Sequence, residues 1–218
     1  MEATAIINEI TPLLDWRGLP LDMASLTALA MGLGWASGLR LYALVFTLGV
    51  LGRFFAVQLP GGLDVLMHPL VLGVSGMLML AEFLVDKVPY VDSVWDTIHS
   101  FIRIPAGAAL AAAVMADQGT AAQMVMMLLG GSLAAGTHLT KAGMRAAINT
   151  SPEPVSNVSA SLGEDALTAA GLWTLFNYPV WFLGGLVLFM LLAGWMLIRL
   201  WRFVRGVFRR SAQHAPAK

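Results

Sequence analysis

The sequence predicts an all-α membrane protein, a polytopic helical bundle of about six spans. Three observations carry this. Of the 218 residues, 58% are hydrophobic and only 12% are charged, against roughly 45–50% and about 25% in an ordinary soluble domain. Mean hydropathy is +0.74. Apolar stretches long enough to cross a bilayer recur along most of the chain. The 13 basic and 13 acidic residues balance, so no cationic surface exists for nucleic acid and the partner to expect is the lipid bilayer. With no cysteine, disulfides, thiolate chemistry and iron–sulfur clusters are excluded, and no cofactor is expected.

Residues 1–22 set Glu2, Glu9, Asp15, Arg17 and Asp22 among Ile6, Ile7, Ile10, Leu13 and Leu14. This is an amphipathic segment for the membrane surface, ended near Gly18 to Pro20, and not a signal peptide. Residues 23–205 form the transmembrane bundle. Its apolar segments are Ala24 to Ala56, Leu66 to Val88, Ile102 to Met115, Ala121 to Ile148, Val158 to Phe176 and Val180 to Leu200. The third is short, and Pro105 suits its first turn. Residues 206–218 are a basic tail.

Lysine and arginine in short loops set orientation. Six spans place Lys87, Arg103, Lys141, Arg145 and the tail arginines on one side, with only Arg53 near an opposite loop. Both termini are therefore expected in the cytoplasm. A self-comparison pairs Gly32, Ala36, Gly38 and Leu41 with Gly130, Ala134, Gly136 and Leu139, each set carrying one basic or imidazole residue, Arg40 or His138. Spans one and four would then correspond as glycine-broken helices of a three-plus-three inverted repeat. Close packing by small residues explains the same pattern without a repeat.

The buried charges narrow the function. A charge at mid-membrane costs roughly 2.5–3.5 kcal/mol even on lenient insertion scales. Arg40 lies too deep in span one to reach water and needs a carboxylate partner, and Glu82 or Asp86, one turn apart on span two, can supply it. Asp92 and Asp96 share a face of a short helix after Pro89, anchored by Trp95, with Arg103 following. His138, Lys141 and Arg145 form one stripe. Asn149, Ser151, Glu153 and Asn157 fill the next loop, and Glu164 and Asp165 interrupt the fifth apolar segment.

These residues resemble a known family, the prokaryotic membrane proteins catalogued as domain of unknown function 4126. The likeness runs from about Gly32 to Arg205. It rests on Gly38-Leu39-Arg40, on Glu82-Phe-Leu-Val-Asp86-Lys87-Val-Pro89-Tyr-Val-Asp92, and on Lys141 to Arg145 followed by Asn149-Thr-Ser-Pro-Glu-Pro-Val-Ser-Asn157 and Glu164-Asp165. It implies a small multi-span protein of the bacterial inner membrane and supplies no substrate. Three function classes follow. The first is a transporter or channel for an ion or small charged solute, with proton coupling through Glu82 and Glu164. Another is a structural or assembly subunit. The third is an enzyme acting on lipid or phosphate, with Mg²⁺ held by Asp86, Asp92, Asp96, Glu153, Glu164 or Asp165. A homodimer is left open.

Overall fold

The structure, a computed structural model, describes residues 22–55, 57–150 and 154–213, with backbone alone at 154, 203, 204 and 206–213. Among the described residues every element is helical. The α-helices are α1 (Met23–Phe54), α2 (Pro69–Val85), α3 (Val91–Val114), α4 (Thr120–Ile148), α5 (Pro154–Asn177) and α6 (Pro179–Gln213), with 3-10 segments at Gly61–Met67 and Ala116–Gln118. Helices α1, α3, α4 and the Pro179–Arg202 part of α6 are long and apolar enough to cross a membrane, and α2 with the 3-10 segment before it, bent by 75°, makes a fifth candidate. Helix α5 carries Glu164 and Asp165 and is not among them. The expected amphipathic stretch before Asp22 lies outside the described residues. Asp22 itself caps α1, accepting the Ser25 N–H at 2.7 Å.

Helix α1 touches every other α-helix and is the hub of the bundle. It does not run from one end to the other. Arg40 leaves helical geometry at φ −142°, ψ 66°, and its neighbours on each side show where the two arms go. Before the break, Trp35 packs on Gly171, and a Cβ on Gly32 would lie 2.5 Å from Leu175, so this arm is antiparallel to α5. After the break, Ala43, Thr47 and Leu51 of the second arm line a cavity of about 360 Å³ together with Thr168, Leu172 and Phe176 of α5. The same arm is antiparallel to α2, with Phe46 against Gly76 and Gly49 against Leu72. Both arms therefore point from Arg40 toward one end of the bundle, the distal end. Gly61 also lies there: at φ +57° it sits against the Ala113 carbonyl, where an added Cβ has no room.

That path corrects two expectations. The glycines of α1 and α4 do face each other, for a Cβ on Gly34 would lie 2.6 Å from the Gly130 Cα and one on Gly38 2.5 Å from the Ala134 carbonyl. They do not break the helices. Small residues let the backbones of α1 and α4 close on each other, and on α3 through Ala111 and Gly107. The break comes two residues later, at Arg40, whereas α4 runs unbroken past His138 to Ile148. The paired segments thus diverge at the very residues that suggested an inverted repeat.

The third element is also longer than expected. Asp92, Asp96, His99 and Arg103 are buried on one stripe of α3, while Val94, Ile98, Phe101 and Ile102 are exposed. The polar face points inward and the apolar face outward, so hydropathy shows only the apolar second half. Pro105 sits inside the helix and not in its first turn, with its ring on the outer face.

Candidate functional site

The end opposite the distal end gathers the charges. Arg40 comes from the α1 break, Glu82 and Asp86 from the end of α2, Asp92, Asp96 and Arg103 from α3, Lys141 and Arg145 from α4, and Glu164 from α5. Each of these nine side chains is at most 3% exposed. Charges taken this far out of water persist only when paired and hydrogen-bonded. Here they form one network. Arg40 pairs with Asp86, donates to the Ser161 carbonyl at 3.1 Å and its hydroxyl at 3.0 Å, and sets Nε 2.9 Å from Asp165. Lys141 lies centrally, 3.0 Å from Asp86, 3.4 Å from Glu164, 3.5 Å from Asp96 and 3.9 Å from Glu82. Arg145 grips Glu164 in bidentate fashion at 3.0 and 3.1 Å and donates to the Asp86 and Asn157 carbonyls. Arg103 bridges Glu82 at 2.5 Å and Asp96 at 2.8 Å.

The α1 break is held by the same groups. Lys141 Nζ lies 3.4 Å from the Leu39 carbonyl, and Ser37 donates to the Arg103 carbonyl at 2.7 Å. Backbone groups out of helical register and buried from water must find such partners within the protein. Toward the outer rim of the charged end, Asn149 donates to Asp92 and Ser93 at 2.9 Å each, and Asn157 donates to the Asn149 oxygen at 3.1 Å. This clasp ties the α4–α5 connection to the start of α3.

The sequence-predicted residues fall into three sets. Arg40, Glu82, Asp86, Asp92, Asp96, Arg103, Lys141, Arg145, Asn149, Asn157 and Glu164 meet in the network, and Asp86 proves to be the Arg40 partner while Glu82 turns to Arg103. Asp165 stands at its edge, about one-third exposed, and Lys87 folds away, donating to the Phe83 carbonyl at 2.8 Å with its ammonium over the Phe83 ring. Partial burial draws that ammonium below the ordinary lysine range, against the pull of Asp165. His138 is buried beside Arg103 but bonds Ser100 at 2.6 Å and lines no gap between broken helices. Ser151 and Glu153 lie outside the described residues. Sequence reasoning missed Ser161 and Ser100, although each lies one helical turn from a singled-out acid, Glu164 or Asp96, and so shares its face.

Among the described residues, no three His, Asp or Glu side chains converge where a metal ion could sit. Of the carboxylates expected as Mg²⁺ ligands, Asp86, Asp92 and Asp96 each give one oxygen to an ammonium, amide or guanidinium group, Glu164 gives both to Arg145, and Asp165 pairs with Arg40; Glu153 lies outside the described residues. Beside Arg40, a second cavity of about 370 Å³ is lined by Ala43, Met79, Leu80, Glu82, Phe83 and Asp165. Together with the 360 Å³ cavity, which reaches up to Phe176 and Asn177 near the distal end, it forms an apolar approach to the Arg40–Asp165 pair.

A family model described as Domain of unknown function (DUF4126) matches residues 27–199, a stretch that contains all nine buried charges. No curated protein and no solved structure matches the chain.

Proposed function

Since the chain belongs to the DUF4126 family, whose description names no activity, we propose its function from the site: a multi-pass membrane transporter for an ion or small charged solute, with the ion network as its coupling centre. One observation carries this reading. The only interior residue of α1 outside helical geometry, Arg40, sits at the apex of two arms that re-enter from the distal end, and that apex lies among eight other buried charges. Discontinuous helices that bring polar backbone and charge together inside a bundle are the usual construction of transporter sites. The apolar approach supports a state open to the distal side, with the Asn149–Asn157 clasp closing the other.

Basic residues favour the cytoplasmic face, so the charged end and the tail of α6 are assigned there, in a bacterial inner membrane. In this reading α2, α3, α4 and α6 cross, α5 crosses with them despite Glu164 and Asp165, and α1 dips in and returns. This reading puts Met23 on the outer side, where six full crossings put it inside. The absence of cysteine makes the test direct. A membrane-impermeant maleimide should label Met23→Cys in intact cells and Thr150→Cys only after permeabilisation. Labelling of Met23→Cys only after permeabilisation restores the six-crossing path.

A structural subunit is the second reading, favoured because every cation of the network already has a carboxylate partner. Purified protein in liposomes, assayed for flux of Na⁺, K⁺, chloride and small carboxylates under an imposed pH gradient, separates the two. Transport requires flux whose pH dependence changes in Glu82→Gln and Glu164→Gln while both variants still assemble. No flux of any of these solutes, with both variants failing to assemble, establishes the fastening role.

A further inference from the structure

The sealed network holds five carboxylates, Glu82, Asp86, Asp92, Asp96 and Glu164, against four cations, Arg40, Arg103, Lys141 and Arg145. Four of its carboxylate oxygens, Glu82 Oε2, Asp86 Oδ1, Asp92 Oδ2 and Asp96 Oδ2, are buried without a hydrogen-bond partner. An unmatched negative charge out of water is expensive, and the group carrying it takes up a proton instead.

The contacts select which group. Glu164 has both oxygens on Arg145, with Lys141 and Arg40 beside it. Asp86 faces three cations, Arg40, Lys141 and Arg145. Asp92 accepts from Asn149, Ser93 N–H and Ser93 hydroxyl, with Arg145 3.8 Å away. Glu164 and Asp86 each face three cations, and Asp92 collects its three hydrogen bonds on one oxygen. Glu82 and Asp96 instead share the two ends of one guanidinium, Arg103, and among the described residues Lys141 is the only other cation within 4 Å of either. His138 does not take the proton in their place. Its Nδ1 meets the Arg103 NH1 donor at 3.4 Å and its Nε2 meets Ser100, a setting for the neutral ring.

We infer that the network holds one exchangeable proton, shared between Glu82 of α2 and Asp96 of α3 across Arg103. Facing the pair are Arg40 and Tyr42 from α1, Asp86 from α2, His99 and Arg103 from α3, and His138 and Lys141 from α4. When the proton leaves, Arg103 and Lys141 serve two full anions and the α2–α3 contact gains a net charge, which couples protonation to the seating of α2 on the α1 apex. Like charges sharing one site yield one readily protonated member by the same physics. This deepens the transport reading, and its test is read without flux.

Infrared difference spectra of the full-length protein in lipid, recorded across a pH series, should show the carbonyl stretch of a protonated carboxylic acid that shifts in D₂O. Glu82→Gln and Asp96→Asn should each abolish it, since the remaining acid then has Arg103 to itself. Glu164→Gln should leave it in place. Should a variant fail to fold, carboxyl-¹³C labelling of glutamate or of aspartate in the unaltered chain must shift the band. No such band in the unaltered protein, or a band that survives both substitutions, overturns the shared proton. A band with no flux overturns transport alone, and flux with no band overturns the proton alone.

Discussion

Replacing Arg145 by methionine should cost the fold roughly 3–5 kcal/mol, the usual penalty for removing one partner from a buried ion pair. Thermal unfolding in detergent and the fraction of monodisperse protein on size exclusion measure it. The size follows from what Arg145 serves: both oxygens of Glu164, the Asp86 carbonyl and the Asn157 carbonyl, all in a site with no exposed side chain. Glu164 would be left with Lys141 at 3.4 Å and Arg40 at 3.6 Å. The paired change Arg145→Met with Glu164→Met should recover much of the loss, because two apolar groups of similar volume replace a pair whose desolvation was costly. It should not recover all of it, since the Asp86 and Asn157 carbonyls lose their Arg145 donor. A double variant that folds yet carries no flux places the pair in the transport cycle. One that folds and still transports makes it a fastener. A single variant as stable as the parent would show that water reaches Glu164 and that the network is not sealed.

The distribution of charge was legible in the sequence because charge inside an apolar run has few explanations. Arg40, Glu164 and the His138, Lys141, Arg145 stripe could be marked from spacing alone, and the structure brings all but His138 into the ion network. The choice between Glu82 and Asp86 for Arg40 was not legible, since both lie on one face and only the packing angle of α2 decides. Nor was the true start of α3. Periodic patterning assumes that the polar face looks outward to water, and α3 inverts this by burying Asp92, Asp96 and Arg103 while turning Ile98 and Phe101 outward. The fold-back of α1 left the weakest trace. Its 32 residues read as one long span, and what turns them is a non-glycine residue whose backbone is held by tertiary partners, Lys141 on the Leu39 carbonyl and Ser161 on the Arg40 side chain. Glycine, the residue that usually announces a break, here serves close approach.

Gly34 is where that use of glycine can be measured, and Gly34→Leu should prevent assembly of the bundle. Even the first carbon of a side chain there would lie 2.6 Å from the Gly130 Cα and 2.7 Å from its carbonyl oxygen. Backbone cannot swing aside as a side chain does, so α1 and α4 would have to part. Overpacking of this kind costs about 1–3 kcal/mol for small additions, and leucine adds three further carbons to the same space. The damage would not stay local. Ser37 and Leu39, on the same arm, hold Arg103 and Lys141 through hydrogen bonds of 2.7 and 3.4 Å, and those distances have no slack for a displaced helix. Gly34→Ala should therefore lower thermal stability measurably, whereas Gly73→Ala and Gly163→Ala, both facing open space, should be neutral or slightly stabilising, since alanine favours the helix by up to about 1 kcal/mol over glycine. If Gly34→Ala is as stable as Gly73→Ala, the arms of α1 are not pinned to α4 by their glycines, and the apex at Arg40 is free to move without breaking that seam.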